Sequence, residues 1–465
     1  MPTLPLHAPG GAAGLDPDRA ASAPPSHARA GTPRPSESRA RERLAANAWL
    51  GPALWDAPPD PCCEAVVIIP ARDEAPSVGA AIAALAGQVD RDGRPIDPRR
   101  YEVLVLANDC LDRTADAARL AGERHPALRL RVAECALTAL GPPPPRGAGV
   151  GRARQLLMRA AARRLEAVGR PGGVIASTDA DTRVAPDWLD ATWREVARGA
   201  DAVGGRIRLD PTRDRPPRAH LWDAAYRLLA ARLEALLDPV PYDPWPRHHQ
   251  HFGASLAVTA EAYAAVGGLR AVPLEDMDLA GRLVRADLRL RHSPRVQVTT
   301  SARRRGRVRV GLSSQLAEWA RAEKKRSVLR VESAASLAAW FALRGAARRA
   351  WHAGAALGLG APATFGEWLE LTALRERARV RGRVLPRSVP LPEAVAELRR
   401  LAHVPAGLPR LAALQQVEAV LGVALAVDVP ELGAREGLRV DGVARARVVG
   451  HGRRPVDEEQ LAARA

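Results

Sequence analysis

The chain has 465 residues, room for roughly two to three domains at about 150 residues each, and enough to bury a sizeable core. Hydrophobic residues at 47%, charged residues at 26%, and 38 Gly with 40 Pro exclude a fibrous or wholly disordered chain. The net charge of +17 is almost all arginine, with lysine only at Lys324 and Lys325, so compositional bias accounts for it and no nucleic-acid partner is expected.

Residues 1–60 are rich in Pro, Ala, Ser and Arg and read as a disordered arm with one short helix over 36–50. At Glu64-Ala-Val-Val-Ile-Ile-Pro70 the character changes to a β-branched apolar run, which suits a strand buried on both faces. Helices over 76–88, 114–124 and 151–168 then alternate with strands over 101–107, 128–133 and 174–178. This alternation predicts an α/β sheet with crossover helices on both faces. The proline-rich segment 141–149 interrupts it as a loop close to the expected ligand-binding edge. Further helices are expected over 216–237, 275–287, 310–326 and 333–357. The resulting division is an arm over 1–60, a catalytic domain over 61–305 and a mostly helical region over 306–465.

The cysteines Cys62, Cys63, Cys110 and Cys135 lack the spacing of a zinc site or disulfide framework, which points to a reducing cytosol. No signal-like segment opens the chain, and the apolar run from Val417 to Val427 is too short to span a bilayer. The expected location is the cytoplasm, with any membrane contact peripheral on the inner face.

Ser177-Thr-Asp179-Ala-Asp181 follows the apolar Val174-Ile-Ala176, so two carboxylates stand at the carboxyl end of a buried strand. Such a pair can converge on one hard cation whose other ligands are waters and substrate phosphates, although Asp-x-Asp also occurs in solvated loops. The first strand ends in Pro70-Ala-Arg-Asp-Glu74 and the second in Ala107-Asn-Asp-Cys-Leu-Asp-Arg-Thr114. Three strands therefore deliver polar residues to one edge, the edge where α/β sheets bind ligands. Asp112 is the better candidate to cap the following helix, with Thr114 as the other, while Asn108 can read a base edge.

These motifs, followed in order by Gly253-Ala-Ser255, Gly267-Gly268 and Leu274-Glu-Asp-Met-Asp-Leu279, resemble the family 2 glycosyltransferases over about residues 63–301. The resemblance implies a GT-A fold, a Rossmann-like mixed sheet flanked by helices, here with a helical C-terminal region. It also implies transfer of a hexose from a UDP- or GDP-sugar, with Mn²⁺ or Mg²⁺, to a hydroxyl on a lipid, a polysaccharide or a small metabolite. By the same resemblance Pro70, Ala71, Arg72 and Glu74 fall where the family contacts the nucleoside, and Asn108 where an acidic residue usually holds the base. Asparagine both donates and accepts, so uracil and guanine stay open.

In Gly149-Val-Gly-Arg-Ala-Arg154-Gln, Arg152 or Arg154 meets a phosphate, or both are solvated arginines of an ordinary helix start. Asp181 matches the direct metal ligand, and Asp179 with Ala180 the nucleotide-sugar side of the metal pair. Gly253, Ala254 and Ser255 match the acceptor site. Acidic residues in a first helical turn are favoured by the macrodipole, but the resemblance makes Asp276 the general base, with Glu275 as the alternative, and implies inversion.

Many relatives add a histidine ligand after the acidic helix, yet here 295–303 read Arg-Val-Gln-Val-Thr-Thr-Ser-Ala-Arg, leaving His292 as a substitute. His248, His249 and His251 read first as packing, then as acceptor-pocket lining with Tyr242 and Trp245. The run from Arg303 to Arg309 reads either as a clamp for diphosphate or anionic headgroups, or as a solvated compositional run. Two other readings compete. A nucleotidyltransferase would carry a glycine-rich loop after the first strand, which is absent here, and a basic nucleic-acid or membrane adaptor would bind polyanions without need of Asp179 or Asp181.

Overall fold

A computed structural model describes residues 58–135, 149–210, 215–306, 311–356, 364–371 and 387–402. The helix expected over 36–50, nearly all of the arm and of the loop over 141–149, and the run from Val417 to Val427 lie outside these residues.

The sheet begins with β1 (Ala65–Ala71), whose residues are all buried, and β2 (Tyr101–Asn108), parallel to it with Val67 opposite Val103. Continuous burial is the reason both read as unbroken apolar runs rather than alternating ones. β3 (Leu130–Cys135) adds in parallel outside β2, and β4 (Val174–Ser177) in parallel on the other side of β1. Beyond β4 the sheet turns mixed. β7 (Leu256–Thr259) runs antiparallel between β4 and β6 (Ala202–Asp210), β8 (Leu290–Ser301) runs parallel to β6, and β5 (Thr182–Val184) closes the edge antiparallel to β8. The order is β3-β2-β1-β4-β7-β6-β8-β5.

Pleating sends alternate side chains of β1 into two apolar layers. Val66 and Ile68 pack with Leu157, Met158 and Leu165 of α3 (Gly149–Ala167). On the opposite face, Val67 and Ile69 pack with Val78, Ile82 and Leu85 of α1 (Val78–Ala86), Ala118 of α2 (Thr114–Glu123) and Trp188 of α4 (Trp188–Ala197). The mixed sheet between helical layers is the architecture expected of a GT-A fold.

Of the C-terminal region expected to be helical, the described residues 311–356, 364–371 and 387–402 are mostly helical, and their partner lies inside the preceding stretch. α5 (Arg218–Leu237) buries Tyr226, Leu229 and Leu233 against two helices that follow the sheet. These are α9 (Ala334–Ala356), which contributes Leu337, Trp340 and Phe341, and α11 (Leu391–Leu401), which contributes Leu391, Val395 and Leu398. Arg344 and Arg348 of α9 also bind the buried Asp238 at the end of α5. Short helices complete the chain order: α6 (Ala260–Ala265), α7 (Glu275–Arg285), α8 (Leu312–Lys324) and α10 (Phe365–Leu371). Among the described residues, no helix is long and apolar enough to cross a membrane.

Candidate active site

The carboxyl ends of β1, β2 and β4 face one edge, and the residues expected there are present on it. Pro70 and Ala71 are buried at the end of β1, Arg72 is exposed just beyond it, and Glu74 is buried in the turn to α1. Asn108 is buried at the end of β2. Asp112 ties the two loops together, accepting from Ala75 N at 3.0 Å and from Thr114 N at 3.0 Å at the start of α2. Arg113, not Asp112, stands at the N-cap position, and Asp112 instead bridges the start of α2 to the loop after β1. Asp73 does the reverse by accepting from Leu111 N at 2.6 Å. Asp73, Cys110 and Asp112 are close enough to share an ion, yet both carboxylates are engaged with these backbone donors.

The link between the two halves of the site is Arg154 on α3, whose side chain is 5% exposed. It contacts Glu275 at the start of α7, donates to Asp179 at 2.7 Å and to Ser177 Oγ at 3.2 Å. Burial works against its charge, but Glu275 and Asp179 hold the guanidinium above its ordinary pKa. Of the two arginines left open by the sequence, Arg154 is the one that joins the acidic pair after β4 to the acidic helix. Gly253 is required for this. A Cβ at Gly253 would collide with the Arg154 guanidinium, so the space glycine leaves is filled by arginine.

The remaining groups of the 253–255 turn point elsewhere. Ser177 Oγ donates to Gly253 O at 2.7 Å, while the Ser255 hydroxyl accepts from Trp188 Nε1 at 3.2 Å and Ala254 is buried. Gly253 N donates to Asp276 Oδ2 at 2.8 Å and Met277 N to Asp276 Oδ1 at 2.8 Å. Each Asp276 oxygen keeps capacity for a further proton donor. Glu275 differs, because its Oε1 faces Arg154; burial, reinforced by Asp276 and Asp179, raises its carboxyl against the pull of that arginine. Leu274, just before α7, adopts φ 57°, and Gly267 and Gly268 at φ 75° and 74° make the preceding turn that only glycine enters without strain.

Asp181 lies on the other side of Ala180, which is buried. Its Oδ2 is 3.1 Å from Arg303 Nη2, and its Oδ1 is 3.4 Å from the Thr300 hydroxyl of β8. The same guanidinium donates to Glu74 Oε1 at 2.6 Å. Burial pushes Asp181 up to about 6; Arg303 counteracts this, and Asp179 and Glu74 add to it. A pocket of about 240 Å³ opens here, lined by Glu74, Ser77, Asp181, Thr300 and Arg303 among others. Two carboxylates, Glu74 and Asp181, share the Arg303 guanidinium, while Asp179 pairs with Arg154; hard oxygen donors of this kind suit Mn²⁺ or Mg²⁺. The acidic residues present therefore fit the expected cation.

The histidine-rich loop was expected to pack, and His248 does. It is 1% exposed, accepts from Gln250 N at Nδ1, and faces Ser293 O with Nε2 at 3.0 Å. His292 does not contact the acidic pair. Its Nδ1 bonds the buried Asp243 at 2.8 Å and its Nε2 meets His251 Nδ1 at 3.0 Å, while His251 Nε2 faces Met277 Sδ at 3.2 Å. Burial works against the Asp243 charge, yet His292, Arg247 and Arg291 hold that carboxyl well below the usual range. This chain, which steadies α7 from behind, was invisible in the sequence because its contacting pairs lie 26 to 49 residues apart.

His248 sets a pH dependence. Burial depresses it well below the ordinary 6.5, so the fold holds it neutral while the unfolded chain takes up a proton as pH falls through 6.5. Stability is therefore complete above that pH and decreases as pH falls below it. Thermal melts of wild type and His248→Gln on both sides of that pH check it; equal slopes would show that His248 contributes nothing.

The sequence matches no protein-family model and no curated protein. Solved structures do resemble it. The mannosyltransferase PcManGT from Pyrobaculum calidifontis, in complex with GDP-Man and Mn²⁺, is 22% identical over 85% of this chain and 88% of its own, with TM-score 0.38. S. aureus TarS 1–349 in complex with UDP-GlcNAc is 14% identical over 78% and 91%, with TM-score 0.37. Glucosyl-3-phosphoglycerate synthase from Mycobacterium tuberculosis, with Mn²⁺, UDP and phosphoglyceric acid, is 17% identical over 63% and 86%, with TM-score 0.34. Likenesses this distant carry no inference about chemistry. The chain's own sheet order, with an acidic pair after β4 and an acidic helix before β8, gives it a GT-A fold similar to that of the family 2 glycosyltransferases.

Proposed function

We propose that this protein is a glycosyltransferase that moves a sugar from a UDP- or GDP-sugar to an acceptor hydroxyl on a lipid, a polysaccharide or a small metabolite. The observation that carries the reading is Arg154, which ties Asp179 of the donor side to Glu275 beside Asp276. In this reading residues 61–305 are the catalytic domain, and α9 and α11 of the region over 306–465 buttress it through α5. Pro70, Ala71, Arg72, Glu74 and Asn108 receive the nucleoside, and Asp179 and Ala180 the sugar-phosphate side.

Asp181, with Asp179, would hold Mn²⁺ or Mg²⁺. When bound, the cation supplies charge neutralisation for the diphosphate as it leaves. Arg154 has another task. By fixing Glu275 and Asp179 together it sets the distance between donor and acceptor sides, which is where positioning lowers a barrier.

Asp276 is the general base. Its two backbone donors orient the carboxylate without filling it, whereas Glu275 is engaged by Arg154. It takes the proton of the acceptor hydroxyl at Gly253 as that oxygen attacks the anomeric carbon, a single displacement that inverts configuration.

The test is a panel of UDP- and GDP-sugars with Mn²⁺, watching nucleotide release with each candidate acceptor. One donor should be turned over, and Asp276→Asn should bind that donor as tightly as wild type while transferring about 10²–10⁴-fold more slowly. If no nucleotide sugar binds while polyanions do, the transferase reading fails and the basic adaptor replaces it.

A further inference from the structure

Arg303 lies just past β8, where the sequence offers no histidine. Its Nη2 reaches Asp181 at 3.1 Å and Glu74 at 2.6 Å, so one guanidinium spans the loop after β1 and the acidic pair after β4. The strand that carries it is pinned in place, because Thr300 bonds Thr182 between hydroxyls at 2.8 Å. Arg303 itself is 27% exposed, against 5% for Arg154, and it borders the pocket of about 240 Å³. One arginine of this site is thus sealed in, and the other has open space beside it.

A guanidinium cannot coordinate a metal ion, and Asp181 Oδ2 cannot serve both at full strength. Without any cation, Glu74, Asp179 and Asp181 would repel one another in a partly buried place. We propose that Arg303 is an internal stand-in for the divalent cation: it neutralises Asp181 and Glu74 in the free protein, then turns to the donor's diphosphate when the cation takes Asp181. This rests on the transferase reading. The guanidinium's planar fork of N–H donors matches phosphate oxygens, so the side chain exchanges one set of anionic oxygens for another.

Two consequences follow from the shared carboxylate. A divalent cation alone must take Asp181 from Arg303 and leave the guanidinium only Glu74, so it binds the free protein weakly. A nucleoside diphosphate gives Arg303 its new partner, so nucleotide and cation each strengthen the other's binding by the same factor.

The experiment titrates Mn²⁺ into the free protein, and UDP and GDP into protein saturated with Mn²⁺. It uses wild type, Arg303→Met, Arg303→Lys and, as a remote loss of charge, Arg94→Met on an exposed loop. Arg303→Met should bind Mn²⁺ about tenfold tighter than wild type and the nucleoside diphosphate about tenfold weaker, the size of one charged hydrogen bond. Arg303→Lys, which keeps the charge but loses the fork, should hold Mn²⁺ near the wild-type level and still bind nucleotide more weakly. Arg94→Met should change neither. Unchanged or weaker Mn²⁺ binding by Arg303→Met, in a protein whose wild type takes up UDP or GDP, overturns the stand-in and leaves the transferase reading intact. A wild type that takes up neither nucleotide overturns both.

Discussion

Arg154→Met is expected to lower the thermal midpoint by on the order of 10 °C, the largest stability effect of any single change in the site. Removing one partner of a buried ion pair costs about 3–5 kcal/mol because the other charge is left unpaired. In a unit of about 150–250 residues, the size of the proposed catalytic domain, each kcal/mol corresponds to about 2–4 °C. Here the stranded group is Glu275, itself 5% exposed. The double variant Arg154→Met with Glu275→Gln should therefore be more stable than the single one, since no buried carboxylate remains without a counter-charge. Melting curves of the three proteins decide it. If the single variant melts with wild type, the bridge between the two halves of the site contributes nothing and Arg154 loses its structural role.

Asp181→Asn should do the opposite, leaving the fold intact and removing the chemistry. Burial and the neighbouring Asp179 and Glu74 already disfavour the Asp181 charge, so its loss relieves repulsion even as Arg303 gives up a partner. Thermal stability should stay within about 1 kcal/mol of wild type. Donor turnover should fall about a thousandfold or more, the several kcal/mol that neutralising a leaving diphosphate provides. Adding EDTA to wild type should match the variant. Nucleotide release by Asp181→Asn within about tenfold of wild type would remove Asp181 from the leaving-group side.

Much of the architecture was legible because it follows from local chemistry. Val66 to Ile69 is apolar at every position since β1 is covered on both faces, and the same continuity located β2 and β4. Strand ends in such a sheet fix which edge the polar motifs share, so Glu74, Asn108 and Asp179 could be placed together before any coordinates. Arg154 was legible as a candidate for the nucleotide-sugar site, but its link to Glu275 was not. Two arginines two residues apart at a helix start look alike until the fold sets Glu275 beside one of them.

Arg303 was hidden differently. In a chain with so much arginine, a basic run carries little information, and its anionic partners Glu74 and Asp181 are more than a hundred residues away. His292 was proposed as a stand-in ligand on proximity in sequence, but Asp243 has the stronger claim on it, through hydrogen bonds to both its backbone and its ring. Nor did the sequence show that α5 is the seat of the C-terminal helices, because its apolar residues fit a helix packed on anything.

The order of strands also sets the order in which the site is completed during synthesis. β1 to β4 pair in parallel from one contiguous stretch, and domains fold from the amino end as they emerge. Glu74, Asn108, Arg154, Asp179 and Asp181 are thus on the nascent chain, on strands able to pair, well before Gly253, Glu275 and Arg303 leave the ribosome. Until the second half docks, Arg154 has Asp179 and Ser177 but lacks Glu275, and Asp181 lacks Arg303. The late arrival of α7 and of the segment after β8 completes the pairing of charge in the site.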